Sequence, residues 1–292
     1  MGIIAVQKQR ESVIQVHLTE SQGMTLLRAA IKDSKYIFTI EDAIRMAKTQ
    51  AISLLQLNKI LSTLTAKKWL FRVRRGLYII TNSLPGEFRT PPFAIATSLV
   101  QPSAISHWSA MQFHGLTEQI PQIITASTPK KIVLPSMRKP IYDNLTTKHV
   151  WEVANTQYEY ITIKPEQFFG IDNVWIDERF CVPITDKERT LLDLFVHPKM
   201  FGGMGEALGA LEASLSNIDI TKFIDYAIKF NKKSVIKRIG WALEYFGVSA
   251  KYFSKLLEVP VKYYCPLDPS KQTLGLCDSR WMIQNNLKED IK

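Results

Sequence analysis

The sequence predicts an α+β chain, an N-terminal winged helix-turn-helix followed by a larger mixed α+β domain that ends in a helical segment. Three observations predict it. Helical apolar periodicity gives way, before residue 81, to two β-rich runs around Arg74-Arg75-Gly76. Beyond residue 92, strand-like runs come first and helical periods later, which is the order of an α+β domain rather than a doubly wound sheet. Between these regions, Leu84-Pro85-Gly86-Glu87-Phe88 and Pro91-Pro92 interrupt the pattern and mark a linker over 84–92.

Residues 1–20 are weakly patterned and read as an arm or a short helix. Met24, Leu27 and Ile31 then recur at helical spacing, so a first amphipathic helix ends near Asp33. Thr39-Ile40-Glu41-Asp42 resembles a capping box and opens a second helix through about Ala47. A third helix is expected from about Ser53 to Ala66. Leu54, Leu57, Ile60, Leu61 and Leu64 form its apolar face, and Gln56, Lys59, Ser62 and Thr63 its polar one. The run Trp69 to Ile80 supplies the hairpin, with Gly76 suited to the left-handed position of a tight turn. The winged helix-turn-helix is therefore placed at 21–83.

The larger domain is placed at 93–292. Ser103 to His114 reads as a helix closed by Gly115, and Gln122 to Ser127 as a strand. Tyr158 to Lys164 alternates as a strand, and Val174–Ile176 with Phe180–Pro183 is expected to form a hairpin. Helices follow at about 186–196, 205–216, 220–230, 232–246 and 250–258. Gly247 closes the fourth of these and Ser249 opens the fifth. No clear period follows Pro260.

Charge divides the chain in the same place. Of 292 residues, 37 are Lys or Arg and 27 Asp or Glu, a net +10. Residues 1–90 hold 14 basic and 6 acidic residues, whereas 91–292 hold 23 and 21. No acid occurs between Asp42 and Glu87. An apolar share of 46% with 22% charged residues fits a folded globular chain and excludes disorder or a fibrous repeat. No run approaches the ~18 apolar residues a membrane helix needs, and no signal-peptide core follows Met1. Cys181, Cys265 and Cys277 form no C-x-x-C pair, so neither a zinc clip nor a disulfide framework is expected, and a reduced, cytoplasmic setting is.

A basic helix-and-hairpin unit suits double-stranded DNA, because a helix fits the major groove and hairpin arginines can reach phosphates or the minor groove. The candidate DNA-binding residues are Ser53, Gln56, Lys59, Ser62 and Thr63 on the third helix, Lys67 and Lys68 at its end, and Arg72, Arg74 and Arg75 in the hairpin. A second basic surface is expected in the larger domain from Lys130 and Lys131, with Arg138 and Lys139, and from Lys232, Lys233, Lys237 and Arg238.

Enzymatic readings find less support. His107 and His114 lie seven residues apart on one predicted helix, but no Cys or acid accompanies them at the spacing of a zinc site. Gly202-Gly203-Met204-Gly205 resembles a phosphate cradle, yet it follows a helix and no Lys-Ser/Thr succeeds it. Asp172, Asp177 and Glu178 surround the expected hairpin without the acid-x-Lys partner of a nuclease centre. No catalytic, metal or cofactor site is expected. Two alternatives are a winged-helix enzyme that modifies or cleaves DNA, and a ligand-sensing repressor.

Four segments carry a family resemblance. The basic unit ends in Arg75-Gly76-Leu77-Tyr78. Ile105-Ser106-His107-Trp108-Ser109-Ala110-Met111-Gln112-Phe113-His114-Gly115-Leu116-Thr117 follows an S-x-x-S-A-L-x-x-H-G-L-T pattern, with Met111 in place of Leu. Ile184-Thr185-Asp186-Lys187-Glu188-Arg189-Thr190-Leu191-Leu192-Asp193 precedes His197-Pro198 and Phe201-Gly202-Gly203, and Arg238-Ile239-Gly240-Trp241 runs on to Gly247. In this order, over roughly 21–250, the chain resembles the AbiEi-type antitoxins of type IV (abortive-infection) toxin–antitoxin systems. The resemblance implies a transcriptional autorepressor that binds inverted repeats at its own promoter. It also implies that the larger domain opposes a nucleotidyltransferase-like toxin, without requiring a stable complex with it. Residues 1–20 and those beyond Pro260 lie outside the resemblance.

Overall fold

The first three helices form because their apolar positions meet one another, although not always at the positions periodicity alone selects. The computed structural model describes residues 22–81, 90–132, 150–272 and 274–287. The N-terminal arm expected over 1–20 and residues 84–89 of the linker expected over 84–92 lie outside them, and Pro92, expected in that linker, instead opens a helix. Helix α1 spans 22–32 and buries Leu26, Leu27 and Ala30, while Ile31 is 43% exposed. The buried stripe is thus turned from the expected Met24–Leu27–Ile31 line. The reason is the approach of Gly23 to α3 (Leu54–Ala66): a Cβ on Gly23 would lie 3.2 Å from the Leu64 side chain. Strand β1 (Ile37–Thr39) leads directly into α2 (Ile40–Thr49).

The start of α2 is a closed capping box, as its sequence predicts. The Thr39 hydroxyl accepts from Asp42 N, and Asp42 Oδ2 accepts from Thr39 N at 3.0 Å. Lys35 and Arg45 also pair with Asp42. Burial alone would raise this carboxyl, but the hydrogen bonds from Lys35, Thr39 and Arg45 outweigh it and hold the pKa at about 2. Strands β2 (Leu70–Arg74) and β3 (Leu77–Ile80) complete an antiparallel three-stranded sheet of order β1-β3-β2. Leu57, Ile60, Leu64, Phe38, Leu70 and Ile80 close a core between that sheet and the helices.

Contacts divide the chain into two units. The first contains the described residues up to Leu99, with α4 (Pro92–Leu99), together with Trp175–Cys181. In that unit Phe180 meets Tyr36 at 5.8 Å between ring centroids, and the Arg179 guanidinium lies over the same Tyr36 ring.

The second unit holds a six-stranded mixed sheet of order β6-β7-β5-β4-β9-β8. Its strands are β4 (Ala104–Ile105), β5 (Ile123–Thr128), β6 (Val150–Val153), β7 (Thr156–Thr162), β8 (Ile171–Trp175) and β9 (Cys181–Thr185), of which only the end residues Trp175 and Cys181 are counted with the first unit. Pairing is parallel between β5 and β7 and between β4 and β9, and antiparallel at β4–β5 and β6–β7. The expected helix from Ser103 is shorter. Ala104 and Ile105 pair with Ser127 and Ala126, and His107 takes a positive φ of 56°, so α5 runs only from His107 to Phe113. Long-range pairing here overrides a local helical pattern.

Four helices then pack together as α6 (Lys187–Val196), α7 (Met204–Ser214), α8 (Ile220–Phe230) and α9 (Lys233–Tyr245), close to the expected spans. The expected helix at 250–258 is a 3-10 turn, Ala250–Tyr252, followed by the short α10 (Ser254–Leu257). Beyond Pro260, where no period is legible, β10 (Cys265–Pro266), β11 (Leu276–Asp278) and β12 (Ile283–Asn285) form a small sheet. The overall class is α+β. Among the described residues no helix is long and apolar enough to cross a membrane.

The tail is fastened by a close approach. Trp281 is fully buried, and a Cβ on Gly240 would lie 2.0 Å from its ring. Gly240 therefore sits in the interior of α9, despite its helix-propensity cost of about 1 kcal/mol, because only a hydrogen fits there. Gly240→Ala is expected to displace Trp281 and to cost about 3–5 kcal/mol, as Trp281→Ala would. Urea unfolding measures this, and a wild-type midpoint for Gly240→Ala would contradict the packing.

Asp42 gives a second expectation. Its carboxyl is held below the usual 3.8, so it stabilises the fold above that pH, and the contribution fades as pH falls toward about 2. Asp42→Asn should cost about 1–2 kcal/mol at pH 7. In denaturant titrations the gap from wild type should shrink steadily between pH 4 and pH 2.

Candidate nucleic-acid interface

Helix α3 begins at Ser53, whose Oγ accepts from Gln56 N at 3.4 Å. In return, Gln56 Oε1 accepts from Ser53 N at 3.0 Å and from Ser53 Oγ at 2.9 Å. The box satisfies orphan amides of the first turn, and it also changes what Gln56 can read. Bidentate recognition of adenine needs the carboxamide to accept from N6 and donate to N7. While the cap is closed its oxygen is engaged and the Gln56 amide group faces outward as a donor.

The outer face of α3 is a single helical stripe. Leu55, Asn58, Lys59, Ser62 and Ala66 follow i, i+3, i+4, i+7 and i+11, and all are exposed. Lys59 and Ser62 were legible as part of this face. Thr63 is only half-buried, at the stripe's edge. Leu54, expected on the apolar face, is 60% exposed, and Leu55 is 79% exposed. The inner face is instead Leu57, Ile60, Leu61 and Leu64. Asn58 also lies on this face, one residue before the expected Lys59.

The β2–β3 hairpin follows. Gly76 takes φ 77° in the turn, and a bulge interrupts the ladder between Arg72 and Arg74. Arg72, Arg74 and Arg75 are all exposed, as are Lys67 and Lys68 at the end of α3. The hairpin is tied to α2 through Ile40 N, which donates to Gly76 O at 2.8 Å.

The second basic surface needs correction. Lys237 and Arg238 are 3% and 4% exposed. Lys237 Nζ donates to the carbonyls of Leu256 and Leu257 at 2.9 and 3.1 Å, and Arg238 Nε to Pro266 O at 3.0 Å. These cations satisfy backbone oxygens, so they form no surface. Burial lowers the pKa of both. Lys130, Lys131, Lys232 and Lys233 are exposed, while Arg138 and Lys139 lie outside the described residues.

Several of the residues that suggest catalysis have structural partners. His107 Nδ1 lies 2.8 Å from Ser106 Oγ, and its ring stacks on Phe201. Burial lowers its pKa to about 4 against the opposing charge of Asp193, so it is neutral at pH 7. His114 Nε2 donates to Thr185 O at 2.6 Å. The helical register that would bring the two histidines onto one face is broken at His107. Asp177 Oδ1 accepts from the amides of Arg179 and Phe180, both at 2.8 Å, and thereby closes the β8–β9 turn. Asp172 and Glu178 are exposed. At the glycine-rich start of α7, the Asp268 carboxylate accepts from Met204 N at 3.3 Å, where a phosphate cradle would hold its anion. Among the described residues no group of three His, Cys, Asp or Glu is placed to hold a metal ion. A cleft of about 540 Å³ in the second unit is lined by Val196, His197, Pro198, Lys199, Met200, Pro269 and Ser270.

Neither a family model nor a curated protein matches the chain by sequence. In structure it is similar to the crystal structure of the RV2827C protein from Mycobacterium tuberculosis, with a TM-score of 0.58 and 14% identity. The match covers 91% of this chain and 92% of that one, so the likeness of fold extends over nearly the whole length.

Because Lys237 is an interior residue, Lys237→Met should lower stability by about 1–3 kcal/mol by leaving the Leu256 and Leu257 carbonyls unpaired. Urea unfolding measures this. A wild-type midpoint for the variant would contradict an interior role for Lys237.

Proposed function

We propose that the chain is a sequence-specific DNA-binding repressor whose first unit acts as a winged helix-turn-helix. One observation carries the reading: the stretch between Asp42 and Glu87 contains no acid, and it presents Lys59, Lys67, Lys68, Arg72, Arg74 and Arg75 to solvent from one helix and one hairpin. A surface of that composition suits a polyanion, and a capped, rigid helix beside an arginine-bearing hairpin suits the duplex. The order of three helices and a hairpin, with the β1-β3-β2 sheet, supports the same assignment. In this reading α3 enters the major groove, and the hairpin arginines contact phosphates or the minor groove.

The antitoxin role rests on the resemblance of four ordered segments to the AbiEi-type family. In that role the protein binds inverted repeats at its own promoter in the cytoplasm, catalyses no reaction, and opposes a nucleotidyltransferase-like toxin through its second unit without needing a stable complex. The placement of the motif residues is compatible with it. Asp186 caps α6, Arg189 and Asp193 pair inside the fold, and Gly240 receives Trp281. These segments specify a scaffold.

Mobility shift on the upstream DNA tests the reading. Arg74→Ala with Arg75→Ala should weaken binding at least tenfold at low salt and reduce the steepness of its salt dependence. Wild-type affinity and salt slope in the double variant would remove the hairpin from the interface.

A further inference from the structure

We infer that Leu54 and Leu55 are specificity-determining residues that read thymine through its C5 methyl group. The inference rests on the proposal that α3 enters the major groove, and it adds what α3 recognises there. Both leucines occupy the first turn of α3, the part of such a helix that faces base edges. They are 60% and 79% exposed, although the helix has an apolar core face that accommodates Leu57, Ile60, Leu61 and Leu64. Leu55 heads the stripe that continues through Asn58, Lys59 and Ser62, so it shares their outward direction.

The surroundings select the occupant. Every charged residue between Asp42 and Glu87 is a cation. A second copy of the chain docked face to face on this patch would set the cations of one stretch against those of the other, which like charges oppose. A DNA groove supplies phosphates for those cations. It also supplies one apolar group to complement a leucine, the thymine methyl. The neighbouring polar side chain is restricted in a way that increases the importance of this contact. Gln56 has its carboxamide oxygen engaged by Ser53, so the paired contact with adenine requires it to leave the cap. With the cap closed, the first turn offers a base edge methyl contact and the Gln56 amide donors.

The test uses the full chain and a pool of random duplexes. Wild type selects a consensus, and each thymine of that consensus is then replaced singly by deoxyuridine, which removes only the methyl group. One or two replacements should weaken wild-type binding about fourfold each, the effect of exposing one apolar carbon. Leu54→Ala with Leu55→Ala should bind the thymine duplex more weakly and lose sensitivity to those replacements. Thermal melting should be unchanged, since neither side chain is buried. If wild type selects a consensus but tolerates every deoxyuridine, the methyl contact is wrong and the DNA-binding proposal stands. If wild type binds no duplex from the pool, the proposed function itself fails, and this inference with it. If the double variant keeps full sensitivity to deoxyuridine but changes its oligomeric state in sedimentation, the leucines serve a protein contact and the inference is overturned.

Discussion

A cation taken out of water needs oxygen atoms around it, and the second unit is organised by that requirement. Arg189 is 1% exposed in the first turn of α6. Its guanidinium bonds Asp193 Oδ1 through Nε and Nη2, at 3.2 and 2.9 Å, and reaches the carbonyls of Gln167 and Phe169 through Nη1. The rings of Phe169 and Phe230 lie within 5.4 Å of it. One side chain thus ties α6 to the turn before β8 and to the end of α8. Removing either partner of such a pair leaves a buried charge uncompensated, at a cost of about 3–5 kcal/mol. Lys237 and Arg238 follow the same rule with the carbonyls near α10 and β10.

The distribution of cations follows from this constraint. In the second unit, several basic residues are used for cohesion, and acids such as Asp186, Asp193 and Glu188 are buried among them. The first unit buries no Lys or Arg among its described residues. Its basic side chains on α3 and the hairpin point to solvent, over a core built from leucine, isoleucine and aromatic residues. Charge that serves stability in one unit is available for recognition in the other. This contrast underlies the proposed DNA interface, and the near-neutral balance beyond residue 90 fits it.

The elements legible in the sequence were those specified by local chemistry. The Thr39 cap, the turn at Gly76, the helices α3 and α6 to α9 and the strands β5, β7 and β9 all follow from capping, turn or periodicity signals within a few residues. What failed was decided by distant partners. The start of α5 gives way to β4 because β5 and β9 pair with it. The α1 stripe turns because Gly23 meets Leu64. The tail sheet has strands of two or three residues, too short for a period, and is placed by Trp281 against Gly240. Within the candidate site, charge was readable and burial was not. Lys59 and the hairpin arginines are exposed as expected. Lys237 and Arg238 carry the same charge inside the core, and only the carbonyls around them distinguish the two cases.

The central claim is that α3 and the β2–β3 hairpin together form the DNA-contacting surface. Hydrogen exchange of the full chain with and without duplex DNA tests it directly. The account predicts slowed exchange within residues 53–66 and 70–80, with the α6–α9 helices unchanged. Protection confined to the second unit, with α3 and the hairpin exchanging at the same rate in both states, would contradict it.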